Sequence, residues 1–396
     1  MTPAARVQAA IELLDRWLAS DAGMDRLLAQ WGRASRYAGS GDRRAVADLV
    51  YDALRRMRSA AWVAGAEAPD GRALLRGSLM LDGTDPGALF SGGVHAPTPL
   101  NDAEAVSARP LDTAPRAVRL DLPDWLVPEL SYLPETVLAP LRRRATLFLR
   151  VNTLKTDMAG ARAALASDGV ETKPGRLSPH CLAVSENPQR VQGSRAFQDG
   201  LVEIQDAASQ AVAEFAAAQP GETVLDFCAG GGGKTLSLAA SMAGQGMLYA
   251  HEISPTRLAQ LPQRAARAGA QVTLVAPEDV GGLAQSCDLV LVDAPCSGSG
   301  AWARNPDAKW RLTRQGLEDL IEAQDRIMDE AAILVRPGGR LVYVTCSLIP
   351  AENDARVAAF LARSPNFLEG PAPLRLTPAD GGDGFFAAML SFDRAG

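Results

Sequence analysis

The sequence predicts a doubly wound α/β domain, preceded by a small α+β unit and an all-helical N-terminal domain. Three observations carry this. From Gln205 onward, short β-branched runs alternate regularly with amphipathic stretches of helical period. A glycine loop, Asp226-Phe227-Cys228-Ala229-Gly230-Gly231-Gly232-Gly233-Lys234-Thr235, joins the first of these strands to its helix. Two further apolar runs each lead to a cysteine: Leu289-Val290-Leu291-Val292 to Asp293-Ala294-Pro295-Cys296, and Leu341-Val342-Tyr343-Val344 to Thr345-Cys346-Ser347. Such runs, bounded by Gly, Pro or Asp, read as buried parallel strands.

From Ala4 to about Val63 the pattern is helical, with Ile11, Leu14, Trp17 and Leu18, then Val46, Leu49, Val50 and Leu54 recurring at helical spacing. Gly39-Ser40-Gly41-Asp42 offers a turn and a cap to the helix carrying Arg43 to Arg58. Residues 64–117 are rich in Gly, Pro, Asp and Ala and end in a weakly structured connection around Ser107–Pro115. Domain boundaries are expected at 1–117, 118–204 and 205–396. In the middle piece a strand at Leu147–Asn152 precedes a helix at Met158–Ser167. The last piece reads helix Ala207–Ala218, strand Thr223–Cys228, helix Thr235–Met242, strand Met247–Ile253, helix Pro255–Ala268 and strand Val272–Val275. It continues with strand Asp288–Asp293, helix Thr313–Val335, strand Arg340–Thr345, helix Glu352–Arg363 and strand Phe385–Ser391.

The 396 residues are 47% hydrophobic and 22% charged, as in a globular protein, and no apolar run approaches the length of a membrane span. Five scattered cysteines without a CxxC pair, and three histidines, argue against disulfides and against a metal. A cytoplasmic, metal-free monomer is expected. The net charge of −6 is unevenly spread. Arg142, Arg143, Arg144, Arg150, Lys155 and Arg162 face only Asp157 within 141–165, and residues 1–60 hold ten Arg against seven acids. Such basic strips either track a phosphate backbone or form a solvated face.

The glycine loop admits three readings. A phosphate loop needs Gly at 228, which is Cys. A dinucleotide fingerprint from Gly230 needs Gly at 235, which is Thr, and from Gly231 it needs Gly at 236, which is Leu. The third is the first loop of an S-adenosylmethionine-dependent methyltransferase, with Glu252, ending the second strand, on the ribose hydroxyls. A glycine cluster alone can mark merely a tight turn. A lone cysteine after a strand is ordinarily a small packing residue. Two at equivalent strand ends, facing one crevice, point to covalent chemistry instead.

Taken together, the glycine loop, Asp293-Ala294-Pro295-Cys296-Ser297-Gly298 and Thr345-Cys346-Ser347 resemble the Nop/Sun family of RNA 5-cytosine methyltransferases, and most closely its bacterial RsmB-like branch. The resemblance runs through Leu149-Arg150-Val151-Asn152, Gln205-Asp206-Ala207-Ala208-Ser209-Gln210, Arg304-Asn305-Pro306-Asp307-Ala308-Lys309-Trp310, Glu352-Asn353 and Asp383-Gly384-Phe385-Phe386. More weakly, the helical start with Arg36 and Gly41-Asp42-Arg43-Arg44 resembles a NusB-type RNA-binding domain, and 118–204 an RRM-like subdomain. The resemblance implies a class I methyltransferase fold, S-adenosylmethionine as cofactor, and RNA, ribosomal RNA foremost, as partner. It implies Cys346 as nucleophile, Cys296 as the second cysteine, Asp293 on the target base and Lys234 as the neighbouring cation. The implied cofactor set is Cys228, Ala229, Gly230, Gly231, Gly232, Gly233, Lys234, Glu252, Arg257, Glu278 (with Asp279 the second choice) and Asp293. The chain departs from the family pattern at Gly231, where proline is usual, at Ser237, where histidine is common, and at Glu252, where aspartate is usual. A looser loop and weaker cofactor binding are expected from Gly231. A methyltransferase acting on an exocyclic nitrogen would need no thiols. A non-catalytic RNA-binding or assembly factor with a relic site is the remaining alternative.

Overall fold

In the computed structural model, which describes residues 1–106 and 108–393, the chain forms two compact units. The first comprises Met1–Arg144 together with Trp302–Arg311; the second comprises Ala145–Ala301 and the chain from Leu312 onward. Of residues 118–204, those up to Arg144 therefore belong with the helices and the remainder with the sheets. Ser107, the start of the expected weak connection, lies outside the described residues.

The first unit packs α1 (Pro3–Leu18), α2 (Met24–Ala34), α3 (Ser40–Arg55), α4 (Met57–Val63) and α5 (Gly71–Leu81) around a core of Leu13, Leu14, Met24, Val50, Leu54, Leu74 and Leu75. Gly77 lets α5 touch α4: a Cβ there would stand 1.9 Å from the Ala60 carbonyl oxygen. The expected cap holds, since the Asp42 carboxylate accepts the Gly39 amide at 3.1 Å.

Segment 302–311 is fastened into this unit along its length. Arg55 donates to the Ala303 carbonyl at 2.6 Å, Trp310 Nε1 to Leu54 O at 2.7 Å and Lys309 Nζ to Arg55 O at 3.2 Å. The Asp307 carboxylate accepts Trp17 Nε1 and, at 3.1 Å, the Met24 amide. The Arg-Asn-Pro-Asp-Ala-Lys-Trp motif is thus a docking segment in its own unit.

The second unit holds two sheets. The smaller contains β1 (Phe148–Val151), β2 (Glu171–Pro174), β3 (Cys181–Glu186) and β4 (Val202–Ile204), antiparallel in the order β2-β3-β1-β4. The larger contains β5 (Thr223–Asp226), β6 (Met247–His251), β7 (Thr273–Val275), β8 (Cys287–Asp293), β9 (Val335–Thr345), β10 (Phe367–Glu369), β11 (Leu374–Leu376) and β12 (Phe385–Phe392). Its order is β10-β12-β9-β8-β5-β6-β7, with β11 on β12. Strands β5 to β9 run parallel and β12 runs antiparallel against β9. The chain leaves β5 for β6 on one side and returns as β8 on the other, so the crevice at that reversal is where a ligand belongs. This is the α/β class read from the sequence.

Local departures have physical causes. The helix expected over Pro255–Ala268 is two pieces, Pro255–Leu258 and Leu261–Ala268. Pro262 has no amide to give to Leu258, so the helix breaks and restarts with proline in its first turn. The helix expected to reach Val335 stops at Ala332, because Ser286 and Cys287 both take the Leu334 carbonyl and draw the chain into β9.

Asp307→Ala would leave Trp17 Nε1 and the Met24 amide without their acceptor. We expect a loss of about 1–3 kcal/mol, read in urea unfolding followed by tryptophan fluorescence; an unchanged midpoint would show that the segment is not fastened there.

Candidate active site

The site is assembled at the carboxyl ends of β5, β6, β8 and β9, entirely within the second unit. At the end of β5, Asp226 is completely buried. Thr235 Oγ1 donates to its Oδ2 at 2.6 Å, while Oδ1 has no hydrogen-bond partner among the described residues. Burial pushes this carboxyl up to about 7. Gly232 opens the following helix, Gly233–Ser241, with a left-handed φ of 82°, and a Cβ there would lie 2.2 Å from the Leu261 side chain.

Gly231, where proline was the expected family residue, is held by contacts instead. Arg264 donates to the Gly231 carbonyl with one nitrogen and reaches Glu203 with another at 3.2 Å. Glu203 is buried and also takes Arg267 at 2.6 Å. The looseness expected from the glycine is countered by this guanidinium.

After β6, Glu252 is buried with both oxygens oriented by backbone. Oε2 accepts the Gly230 amide and Oε1 the Ser254 amide, each at 3.0 Å, and Arg257 lies 3.4 Å away. The carboxylate is therefore aimed across the glycine loop. Glu278 and Asp279 follow β7 and are both exposed, with no side-chain contact that separates them. Inside the crevice, burial and then Asp226, Asp293 and Glu252 together push the Cys228 thiol upward. Three acids thus border this loop, Asp293 paired with Lys234 and Glu252 with Arg257.

After β8, Asp293 Oδ2 accepts Lys234 Nζ at 2.7 Å, and the ammonium sits 4.9 Å over the Phe385 ring. Burial opposes the Lys234 charge, but Asp293 outweighs it and holds the pKa above its ordinary value.

Residues 293 and 344 are register partners in the β8–β9 pairing, so both chains leave the sheet at the same level. The consequence is that Cys296 and Cys346, fifty residues apart, bring their sulfurs to 3.4 Å as free thiols. The hydrogen bond to Cys346, and next burial, lift the Cys296 thiol well above its usual range. Both side chains are half-buried, so a substrate can reach them.

The residues that hold the thiol pair escaped sequence reasoning. Each cysteine is followed by a serine, and both serines converge on Glu352. Oε2 accepts Ser297 Oγ and Ser347 Oγ, each at 2.5 Å; Oε1 accepts the Ser297 amide at 2.8 Å and Gln324 Nε2 at 3.0 Å. Asn353 adds a bond to the Ser347 carbonyl at 2.9 Å and accepts Thr345 Oγ1 at 2.6 Å. The repeated Cys-Ser was the available signal.

The basic strip is a surface only in part. Arg142 is bonded to the buried Asp121 at 2.7 Å and Arg150 is buried against Gln205 at 2.7 Å. In α3, Arg55 is buried on Ala303 and Arg56 pairs with Asp82 at 2.6 Å. Arg143, Arg144, Lys155 and Arg162 of the strip are exposed, Arg144 paired with Asp48 at 2.7 Å, as are Arg26, Arg33, Arg36, Arg43 and Arg44. Among the described residues, no cluster of His, Cys, Asp and Glu is arranged to hold a metal, and no helix is long and apolar enough to cross a membrane.

Residues 213–391 match the model of the 16S rRNA methyltransferase RsmB/F family. A curated relative from Salmonella arizonae, ribosomal RNA small subunit methyltransferase B, is 34% identical over 284 residues, covering 68% of this chain and 66% of the relative. The chain belongs to the RsmB/F family. The match spans just under two thirds of that relative's length. Among solved structures, that of PH0851 covers 98% of this chain and 99% of its own at 26% identity and a TM-score of 0.75. A methyltransferase homolog protein from Pyrococcus horikoshii covers 70% of this chain and 97% of its own, at 26% identity and a TM-score of 0.61. The fold is that of the S-adenosylmethionine-dependent methyltransferases.

The elevated Asp226 carboxyl gives a pH signature. In the unfolded chain an aspartate ionises near 3.8, whereas the folded one keeps its proton to about 7. Its contribution is complete below pH 4 and is lost as pH rises to 7, by at most about 4 kcal/mol at about 1.4 kcal/mol per unit. Asp226→Asn should flatten that fall in a melting series from pH 4 to 7; an unaltered slope would mean the carboxyl is already ionised in the folded chain.

Proposed function

We propose that this chain methylates carbon 5 of a cytosine in RNA, ribosomal RNA being the class indicated by its relatives, through a covalent cysteine–base adduct. The observation that carries the proposal is the free thiol pair 3.4 Å apart at the ends of neighbouring parallel strands, beside the Lys234–Asp293 ion pair. Transfer to a nitrogen or oxygen needs no such pair. Cytosine carbon 5 does, because it is too weak a nucleophile until a thiolate has added to carbon 6.

The crevice suits S-adenosylmethionine. Glu252 and Asp293, following β6 and β8, border the glycine loop and suit a ligand carrying positive charge. Glu252 would take the ribose, the backbone of residues 228–233 the amino-acid portion, and Glu278 or Asp279 the adenine. Arg257, now 3.4 Å from Glu252, would stand at the ribose edge. Bound there, the cofactor supplies an electrophilic methyl group.

The protein residues then divide the work. Cys346 Sγ bonds to carbon 6, which makes carbon 5 nucleophilic. Asp293, held by Lys234, hydrogen-bonds the ring nitrogen and exocyclic amine and stabilises the adduct. After carbon 5 is methylated, Cys296 assists loss of its proton, and the Cys346–carbon 6 bond breaks to release the base. Such a base must be unstacked from its neighbours to enter the crevice, so a loop or a locally opened helix is the fitting RNA. Exposed Arg36, Arg43, Arg44, Arg143 and Arg162 are among the cations available to meet its phosphates.

Tritium from labelled cofactor should appear in RNA, and bisulfite sequencing of total RNA with and without the gene should lose one protected cytosine. RNA binding without transfer would instead leave the chain an assembly factor. Glu252→Ala should weaken cofactor binding by about 1.5–3 kcal/mol in calorimetry, as for hydrogen bonds to a charged group; undiminished affinity would remove Glu252 from the ribose.

The cysteines should separate by trapping. Cys346→Ala should be inactive and never bond RNA. Cys296→Ala should accumulate a protein–RNA species that survives denaturing electrophoresis and vanishes when Cys346 is also replaced. Trapping only in Cys346→Ala would exchange the two roles.

A further inference from the structure

We propose that Glu352 is a positioning residue for the thiol pair: one buried carboxylate holds both cysteine turns and, through its charge, decides which of the two sulfurs keeps the proton. The proposal deepens the covalent reading above and rests on it for its catalytic meaning.

The geometry comes first. Glu352 is completely buried, and its two oxygens accept four hydrogen bonds, from Ser297 N, Ser297 Oγ, Ser347 Oγ and Gln324 Nε2. Each serine hydroxyl donates to the carboxylate and keeps its lone pairs for backbone amides. Ser347 Oγ accepts the Ile349 amide at 2.9 Å, and Ser297 Oγ accepts the Ser299 amide at 3.3 Å. Four donors converging on two oxygens make a setting that suits a charged carboxylate. No lysine or arginine pairs with it among the described residues, so its charge is held by hydrogen bonds alone and acts on what lies nearby.

The charges around the sulfurs are unequal. Glu352 makes two of its four bonds to Ser297, the residue after Cys296, and its negative field bears on Cys296. Tyr343, from β9, adds a buried hydroxyl that donates to the Glu352 carbonyl at 2.7 Å. Lys234, bonded to Asp293 at 2.7 Å, is the cation whose charge bears on Cys346. Asp293 faces Lys234, and Arg356 and Asp325 lie farther out, paired with one another. A proton shared over 3.4 Å between two sulfurs therefore rests on Cys296, beside the anion. On this proposal Cys346, 3.4 Å away, accepts that S–H and is the sulfur left to attack.

Alkylation tests this without RNA or cofactor. Iodoacetamide forms a thioether with a thiolate and releases iodide, so peptide mapping across pH 6–9 reads each cysteine separately. In the unmodified chain Cys346 should react at least tenfold faster than Cys296. Glu352→Gln should cut that preference at least tenfold by raising Cys296 reactivity, whereas Glu352→Asp, which keeps the charge, should restore most of it. A folded Glu352→Gln with undiminished preference would overturn the proposal. Should that variant not fold, the unmodified chain still decides, because Cys296 reacting first or equally would overturn it. A chain that methylates no cytosine would refute the function above and leave this selectivity intact.

Discussion

The parallel pairing of β8 with β9 is the constraint on which the site depends. Leu289 to Asp293 lie opposite Arg340 to Val344, without a slip over that stretch. A one-residue shift would turn every side chain of β9 to the other face of the sheet. The two chains then leave the sheet together, and residues three after Asp293 and two after Val344 meet as a pair of thiols. Antiparallel β12 covers the far side of β9 and places Phe385 under Lys234. The apolar strands therefore determine where the reactive atoms stand, although none of their own side chains is reactive.

Polar order at this site rests on buried groups that hydrogen-bond to one another. Glu352, Ser297, Ser347, Gln324 and Asn353 are all nearly or wholly shielded from solvent. A half-satisfied network in such a place would cost more than an apolar one. Its bonds explain how two irregular turns can be as well placed as the strands they follow. Gln324 Oε1 and Asp226 Oδ1 are buried oxygens without a partner among the described residues.

Much of the fold was legible because the helical and strand periods alternate cleanly after Gln205. The two Cys motifs were legible because they sit at strand ends. Short edge elements were not: β10 and β11 have three residues each, too few to show a period, and they exist only because β12 offers them backbone partners. Glu352 was visible as a letter and silent as a role, since its partners lie fifty-five, twenty-eight and five residues away. Charge misled in the other direction. Arg142, Arg150, Arg55 and Arg56 read as an exposed basic face, yet each has a buried or paired guanidinium, and a sequence does not distinguish a cation facing solvent from one that ties helices together.

The Gly231–Arg264–Glu203 arrangement changes the kind of restraint that orders the cofactor loop. A proline at that position would limit the backbone by covalent geometry, which neither salt nor heat can loosen. Here the same stretch is restrained by a hydrogen bond from a guanidinium that also leans on a carboxylate. Its order is therefore on loan from electrostatics and from the smaller sheet that carries Glu203. Ionic strength and local opening of that sheet can reach the loop, and the crevice becomes sensitive to conditions that a proline-bearing relative would not register.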